Sequence, residues 1–279
     1  MTESIEEVIL RHSERGVPNI RRYVSDNCCD KAALEILSWE KGNIFLTTGF
    51  YVAGYAETDG PVGTVALSLA LKKLGYNPII LTDKYCEGFF EIEHIETIYV
   101  DYTLEAGIFQ DLVDKYNPKG FIAIERCGKN RFSQYANMRG NSITEYTAPI
   151  DDLFVAYQGI IPTIGVGDGG NEIGMGKISG AISRKLSLEP CTVCTDILVV
   201  ATVSNWGAYG IITALSKHTG NILLPSFEWV EDYIGKTVQI GSVDGVTHQK
   251  EISVDGKSMV IEKEILAALE KIQRGGECA

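Results

Sequence analysis

Apolar positions along the chain fall into two alternating rhythms. Short runs bounded by glycine, asparagine or proline read as strands at residues 43–49, 78–82, 97–100, 120–125, 160–164 and 196–201. Between them the period lengthens to that of a helix. Pro61 suits the first turn of one, whose body (Val65, Leu67, Leu69, Leu71) closes at Gly75. Further helices are predicted over 105–116, from Asp151 through Ala156, over 177–188, and from Ser204 through Ile211, Ile212 and Leu215. Two helices precede the first strand, one over 3–15 and one through Ala33, Ile36 and Leu37, with Ser25 and Asp26 offering its caps. Beyond residue 225 the pattern predicts a helix over 227–234, a turn-rich β segment over 239–255 and a final helix over 259–274.

Alternating strands and helices predict an α/β fold, with a largely parallel central sheet flanked by helices and a small C-terminal α+β elaboration. Residues 1–279 are expected to form one domain: N-terminal helices 1–42, core 43–225 and elaboration 226–279. No repeat, low-complexity tract or Pro/Ser linker breaks it.

Composition narrows the function classes. Apolar content of 45% and charged content of 22% suit a soluble globular protein. A net charge of −12 argues against nucleic acid or an anionic membrane as partner, and no apolar run is long enough to span a bilayer. The acidic start resembles neither a secretory signal nor a transit peptide, so a cytoplasmic protein is expected. Seven cysteines, mostly within predicted regular structure, are expected to be reduced thiols, and Cys191-Thr192-Val193-Cys194 reads as a connection. Homo-oligomerisation stays open.

Candidate chemistry collects at the strand ends. Residues 165–176 (GVGDGGNEIGMG) contain six glycines with Asp168, Asn171 and Glu172 among them. No Gly-Lys-Ser/Thr triplet follows, and although Gly165, Gly167 and Gly170 fit a dinucleotide spacing, the two carboxylates would repel a pyrophosphate. Hard oxygen donors on a glycine backbone suit Mg²⁺ or Mn²⁺, with Ca²⁺ a further candidate. The duller reading is a tight turn whose acids cap the next helix.

Other strand ends carry Glu57 and Asp59, Glu125 and Arg126, and Ser204 and Asn205. Parallel strands end on one edge, so these groups should converge there, and clustered carboxylates repel unless a cation joins them. Each also has a plainer role: Glu57 and Asp59 capping the helix at Pro61, Arg126 pairing with Asp151 on the surface, Asn137 and Arg139 in a solvated loop, Trp206 in the core, Cys127 an inert thiol.

These motifs resemble the D-glutamate cyclase family, in its C-terminal catalytic-type domain. The carriers are Thr48-Gly49-Phe50 through Ala56-Glu57-Thr58-Asp59-Gly60-Pro61, Ile124-Glu125-Arg126, Tyr135 with Asn137-Met138-Arg139-Gly140, Pro149-Ile150-Asp151-Asp152-Leu153, the loop 165–176 and Val203-Ser204-Asn205-Trp206-Gly207. They span most of residues 43–218. Larger animal members carry an N-terminal domain and a mitochondrial address, which this chain is expected to lack. The resemblance implies a hydro-lyase that closes D-glutamate to 5-oxo-D-proline. Asp59, Asp168, Asn171 and Glu172 would hold a divalent metal, and Glu57 or Glu125 would be the base. Arg126, Asn137, Arg139, Ser204 and Asn205 would contact a small anionic substrate. A metal-dependent phosphoesterase is the rival enzyme, and a non-catalytic metal- or ligand-binding module is the third reading.

Overall fold

The computed structural model describes residues 3–13, 16–103, 107–186 and 188–275. The expected helix start at Glu105, the end of the first helix at Arg15, and position 187 within 177–188 lie outside the described residues.

In chain order the strands are β1 (Asn43–Thr47), β2 (Tyr51–Val52), β3 (Tyr55–Ala56), β4 (Asn77–Thr82), β5 (Glu96–Tyr99), β6 (Phe121–Ile124), β7 (Thr163–Gly167), β8 (Ile197–Val200), β9 (Ser253–Val254) and β10 (Lys257–Ser258). Six of them form one sheet in the order β5-β4-β1-β6-β7-β8, with every neighbouring pair parallel. All six predicted strands are in it. β2–β3 and β9–β10 are separate antiparallel hairpins.

The sheet is buried on both faces, as a parallel sheet must be. Ile44, Leu46, Ile122 and Ile124 enter one core with the helices Cys28–Ser38, Pro61–Lys73 and Ser204–Thr219. Phe45, Phe121 and Ala123 alternate to the other, against Phe109, Leu153, Phe154 and Ile182. The Ser204–Thr219 helix is buried from Ser204 through Ser216, between Cys28–Ser38, Pro61–Lys73 and Met259–Gln273. Strand order reverses between β1 and β6, which opens a crevice at their carboxyl ends.

Three local expectations are revised. β7 starts three residues later than predicted, so Gly165 and Gly167 lie in the strand and not in the loop. The reason is close packing: a Cβ at Gly165 would sit 2.6 Å from the carbonyl oxygen of Ile173, which folds back against it. Within the loop itself, Gly170 and Gly174 take the positive φ that the composition anticipated. Second, Ser25 and Asp26 do not cap the Cys28–Ser38 helix; the buried carboxylate of Glu6 accepts the Cys29 N–H at 3.1 Å instead. Third, the helix expected to stop at 234 runs Phe227–Ile240, and the turn-rich segment closes into the β9–β10 hairpin. Among the described residues no helix is long and apolar enough to cross a membrane.

Candidate active site

Glu125 directly follows β6 with φ at +46°, a conformation unfavourable for any residue with a side chain. Its neighbours leave little room. A Cβ on Gly60 would lie 2.8 Å from the Cβ of Glu125 and 2.5 Å from Oγ1 of Thr48, so only glycine lets the three segments meet. The Ser204 hydroxyl donates to Oε2 of Glu125 at 2.5 Å. Burial pushes the Glu125 carboxyl well above the usual range, and the charges of Asp168, Glu172, Asp59 and Glu57 push the same way.

Beyond the ends of β6 and β7, residues 171–173 turn back antiparallel onto 126–128. The Ile173 N–H donates to the Arg126 carbonyl at 2.8 Å and the Gly128 N–H to the Asn171 carbonyl at 2.9 Å. This return brings Glu172 beside Glu125. The Gly169 and Gly170 N–H groups hold the Glu172 carboxylate at 2.8 and 2.7 Å, and Asn171 donates its amide to the Ala136 carbonyl at 2.8 Å. Two carboxylate trios result, Glu125/Asp168/Glu172 and Asp59/Asp168/Asp255, each with one oxygen per residue within 4.8 Å of the others. Asp168 belongs to both.

Asp59 is already well occupied. Its Oδ1 accepts the N–H of Gly60 at 2.9 Å and of Asn205 at 2.8 Å; Oδ2 accepts the N–H of Ser204 at 2.8 Å. Oδ1 is thereby filled, leaving a single lone pair on Oδ2. Burial, and then the charge of Asp255, push its carboxyl upward, while the three N–H bonds oppose that shift. The helix that Asp59 caps is Ser204–Thr219, not the helix at Pro61 as expected from chain order.

Asp59 lies behind the wall of a cavity of about 370 Å³ that is lined by Glu57, Glu125, Asp168, Asn171 and Glu172, with Asn137 and Arg139 on the facing loop. Glu57 closes the β2–β3 hairpin and bridges to Val243 of the C-terminal elaboration. A Cβ on Gly245 would fall 1.8 Å from the Glu57 carboxylate, so any larger residue there would displace that carboxylate from its present position. Asp255 and Lys257 complete the wall. Sequence reasoning passed over both, though a signal existed: Ser-Val-Asp-Gly occurs at 242–245 and again at 253–256. Asp-Gly marks a tight turn, and Asp255 (φ +53°) and Gly256 (φ +69°) form the one that joins β9 to β10.

Three substrate contacts inferred from sequence are placed elsewhere. Arg126 is fully buried and pairs with Asp83 at 2.8 Å, not with Asp151 on the surface. It also donates to the carbonyls of Gly49 and Ala148, at 2.9 and 2.8 Å, and does not line the cavity. Asp151 instead accepts from Tyr135 and from the Lys129 N–H, and so pins the loop that carries Asn137 and Arg139. Ser204 and Asn205 are buried behind the cavity wall, the first holding Glu125 and the second capping the Pro61–Lys73 helix. Trp206 is a core residue. Cys127 is buried with its thiol pushed up by desolvation, which suits an inert group.

The family described as D-glutamate cyclase-like, C-terminal, matches residues 5–270. The chain belongs to this family. Human mitochondrial D-glutamate cyclase is 35% identical in an alignment of 199 positions that covers 62% of this chain and 32% of the human protein. The chain therefore spans about a third of the length of that relative. Membership in the D-glutamate cyclase-like family extends beyond the motif-bearing residues 43–218, taking in the N-terminal helices and the hairpin that carries Asp255 and Lys257.

Proposed function

We propose that this chain closes D-glutamate to 5-oxo-D-proline with loss of water, assisted by Mg²⁺ or Mn²⁺. The observation that carries the reading is one cavity lined both by two carboxyl groups suited to proton transfer, Glu57 and Glu125, and by oxygen donors suited to a cation, Asp168, Asn171 and Glu172. The reaction moves two protons. The α-ammonium must shed one proton before its nitrogen can attack the γ-carboxyl carbon and a second once that bond has formed, keeping one hydrogen in the lactam. The γ-oxygen departs with those two protons as water. A group that takes a proton from nitrogen and returns it to oxygen needs an affinity near neutrality. Burial among like charges raises Glu125 in that direction, and Glu57 lies across the same cavity as a second acceptor. The Ser204 hydroxyl fixes one oxygen of Glu125 and leaves the other for transfer.

The donors fit a hard divalent cation: all are oxygens, and the Gly169 and Gly170 N–H groups hold the Glu172 carboxylate in place. Asp168 and Glu172 would hold it, with Asn171 beside them and Asp59 contributing at most its remaining lone pair. When bound, such an ion would offset part of the cavity's negative charge and stabilise charge on the reacting carboxyl oxygen. Holding the folded substrate supplies the remainder, since five-membered closure gains most from proximity.

The test is formation of 5-oxo-D-proline from D-glutamate with Mg²⁺ or Mn²⁺, before and after chelation, alongside release of phosphate from a generic ester. Glu125→Gln should lower turnover by about 100-fold or more, and Asp168→Ala should abolish both turnover and metal binding. Wild-type turnover by Glu125→Gln would reject the assignment, and phosphate release without cyclisation would reject the reaction.

A further inference from the structure

We propose that Lys257, on the C-terminal β9–β10 hairpin, holds the α-carboxylate of the substrate, the one that survives the reaction. This rests on the cyclase reading above.

The need for such a group follows from the charge of the cavity. Five carboxylates line it: Glu57, Glu125, Asp168, Glu172 and Asp255. D-glutamate brings two more. A single divalent ion cannot offset them all, so an anionic substrate requires fixed positive charge in the wall. Burial of Arg126 against Asp83 removes the cation that lies nearest to Glu125 in the chain. Among the described lining residues, Arg139 and Lys257 are the two with permanent positive charge. They sit in different walls. Arg139 is exposed on a turn organised by Asn137, whose side chain accepts the Arg139 and Asn141 N–H groups at 3.0 Å each. Lys257 is half-buried and pairs across the hairpin with the fully buried Val254.

The hairpin is rigidly anchored. Asp244, itself fully buried, accepts the N–H groups of Val246 and Thr247 at 2.8 and 2.9 Å, the Ser253 hydroxyl at 2.6 Å and the Gly256 N–H at 2.8 Å. One carboxylate thus ties both Ser-Val-Asp-Gly copies into a unit. That unit is stitched to the core where the Thr58 N–H meets the Val243 carbonyl at 2.9 Å and the Ser242 hydroxyl meets the Ala56 carbonyl at 2.9 Å. A half-buried cation on a preorganised support binds an anion with less entropy lost than a mobile surface lysine. Asp255, two residues before Lys257, belongs to the trio with Asp59 and Asp168, so the hairpin reaches the same groups that would activate the other carboxyl.

The α-carboxylate is unchanged from substrate to product, so its partner contributes equally to ground and transition states. Lys257→Met should therefore raise KM about tenfold or more with kcat within about threefold. The product provides a readout independent of turnover, because 5-oxo-D-proline keeps only the α-carboxylate. Its affinity, measured by calorimetry on the metal-loaded full chain, should fall by the same factor in Lys257→Met and recover most of the loss in Lys257→Arg. An unchanged thermal midpoint checks that both variants are folded. Product affinity unaltered by Lys257→Met, or a fall in kcat at constant KM, overturns this role and leaves the cyclase reading standing. A wild-type chain that neither turns over D-glutamate nor binds 5-oxo-D-proline overturns both.

Discussion

Asp59 and Asn205 each cap the helix that the other one introduces. Asp59 lies two residues before the Pro61–Lys73 helix, yet its carboxylate accepts the first N–H groups of Ser204–Thr219. Asn205, in the first turn of Ser204–Thr219, turns its amide oxygen to the N–H groups of Gly60 and Gly63, at 2.9 Å each. Its amide nitrogen donates to the Thr58 carbonyl at 3.1 Å. The two helix starts are thereby locked together at the crevice, behind Glu125.

Asn205→Ala should accordingly destabilise the protein by about 1–3 kcal/mol, since the buried Gly63 N–H loses its acceptor and the Thr58 carbonyl its donor, while the Gly60 N–H keeps Asp59. Urea denaturation measures it. A midpoint equal to that of the native chain would show that the exchange of caps contributes little.

The Arg126–Asp83 pair yields a prediction of the opposite kind to the substrate contact expected from sequence. Arg126→Met strands a buried Asp83 carboxylate and should cost about 3–5 kcal/mol, whereas the double variant with Asp83→Leu should lose markedly less. In whatever fraction folds, KM for D-glutamate should stay near the native value, because Arg126 does not reach the cavity. A KM that rose tenfold at unchanged stability would return Arg126 to the substrate.

Glu262 makes stability depend on pH. It is fully buried on the Met259–Gln273 helix and accepts the Trp206 indole N–H at 2.6 Å, and burial raises its carboxyl from 4.5 to about 7. Between those values the folded chain keeps a proton that the unfolded chain has released. Stability from this group is therefore lost as pH rises from about 4.5 to about 7, to a total of about 3 kcal/mol, and is level above that. Glu262→Gln removes the dependence. The stability difference between the variant and the native chain should grow by about that amount across the window; a constant difference would mean that the carboxyl titrates normally.

What could be read from the chain was whatever depends on near neighbours. Alternation of Ile44, Phe45 and Leu46, or of Phe121, Ile122 and Ala123, is a local pattern, and it placed six strands between helices and all the polar loops at one edge. The carboxylates of those loops, Glu57, Glu125, Asp168 and Glu172, do line one cavity, because parallel strands leave no other place for their ends. Which charged group faces the cavity and which is buried behind it was decided only in three dimensions. Arg126 and Asp83 are 43 positions apart and Asp59 and Asn205 are 146 apart, and only the packed sheet brings such partners within hydrogen-bond distance. The same holds for Asp255 and Lys257, whose short hairpin has little periodicity of its own and is set in place by one buried carboxylate, Asp244. Hydrophobic period is a property of consecutive residues; the pairing of buried charges belongs to the assembled fold.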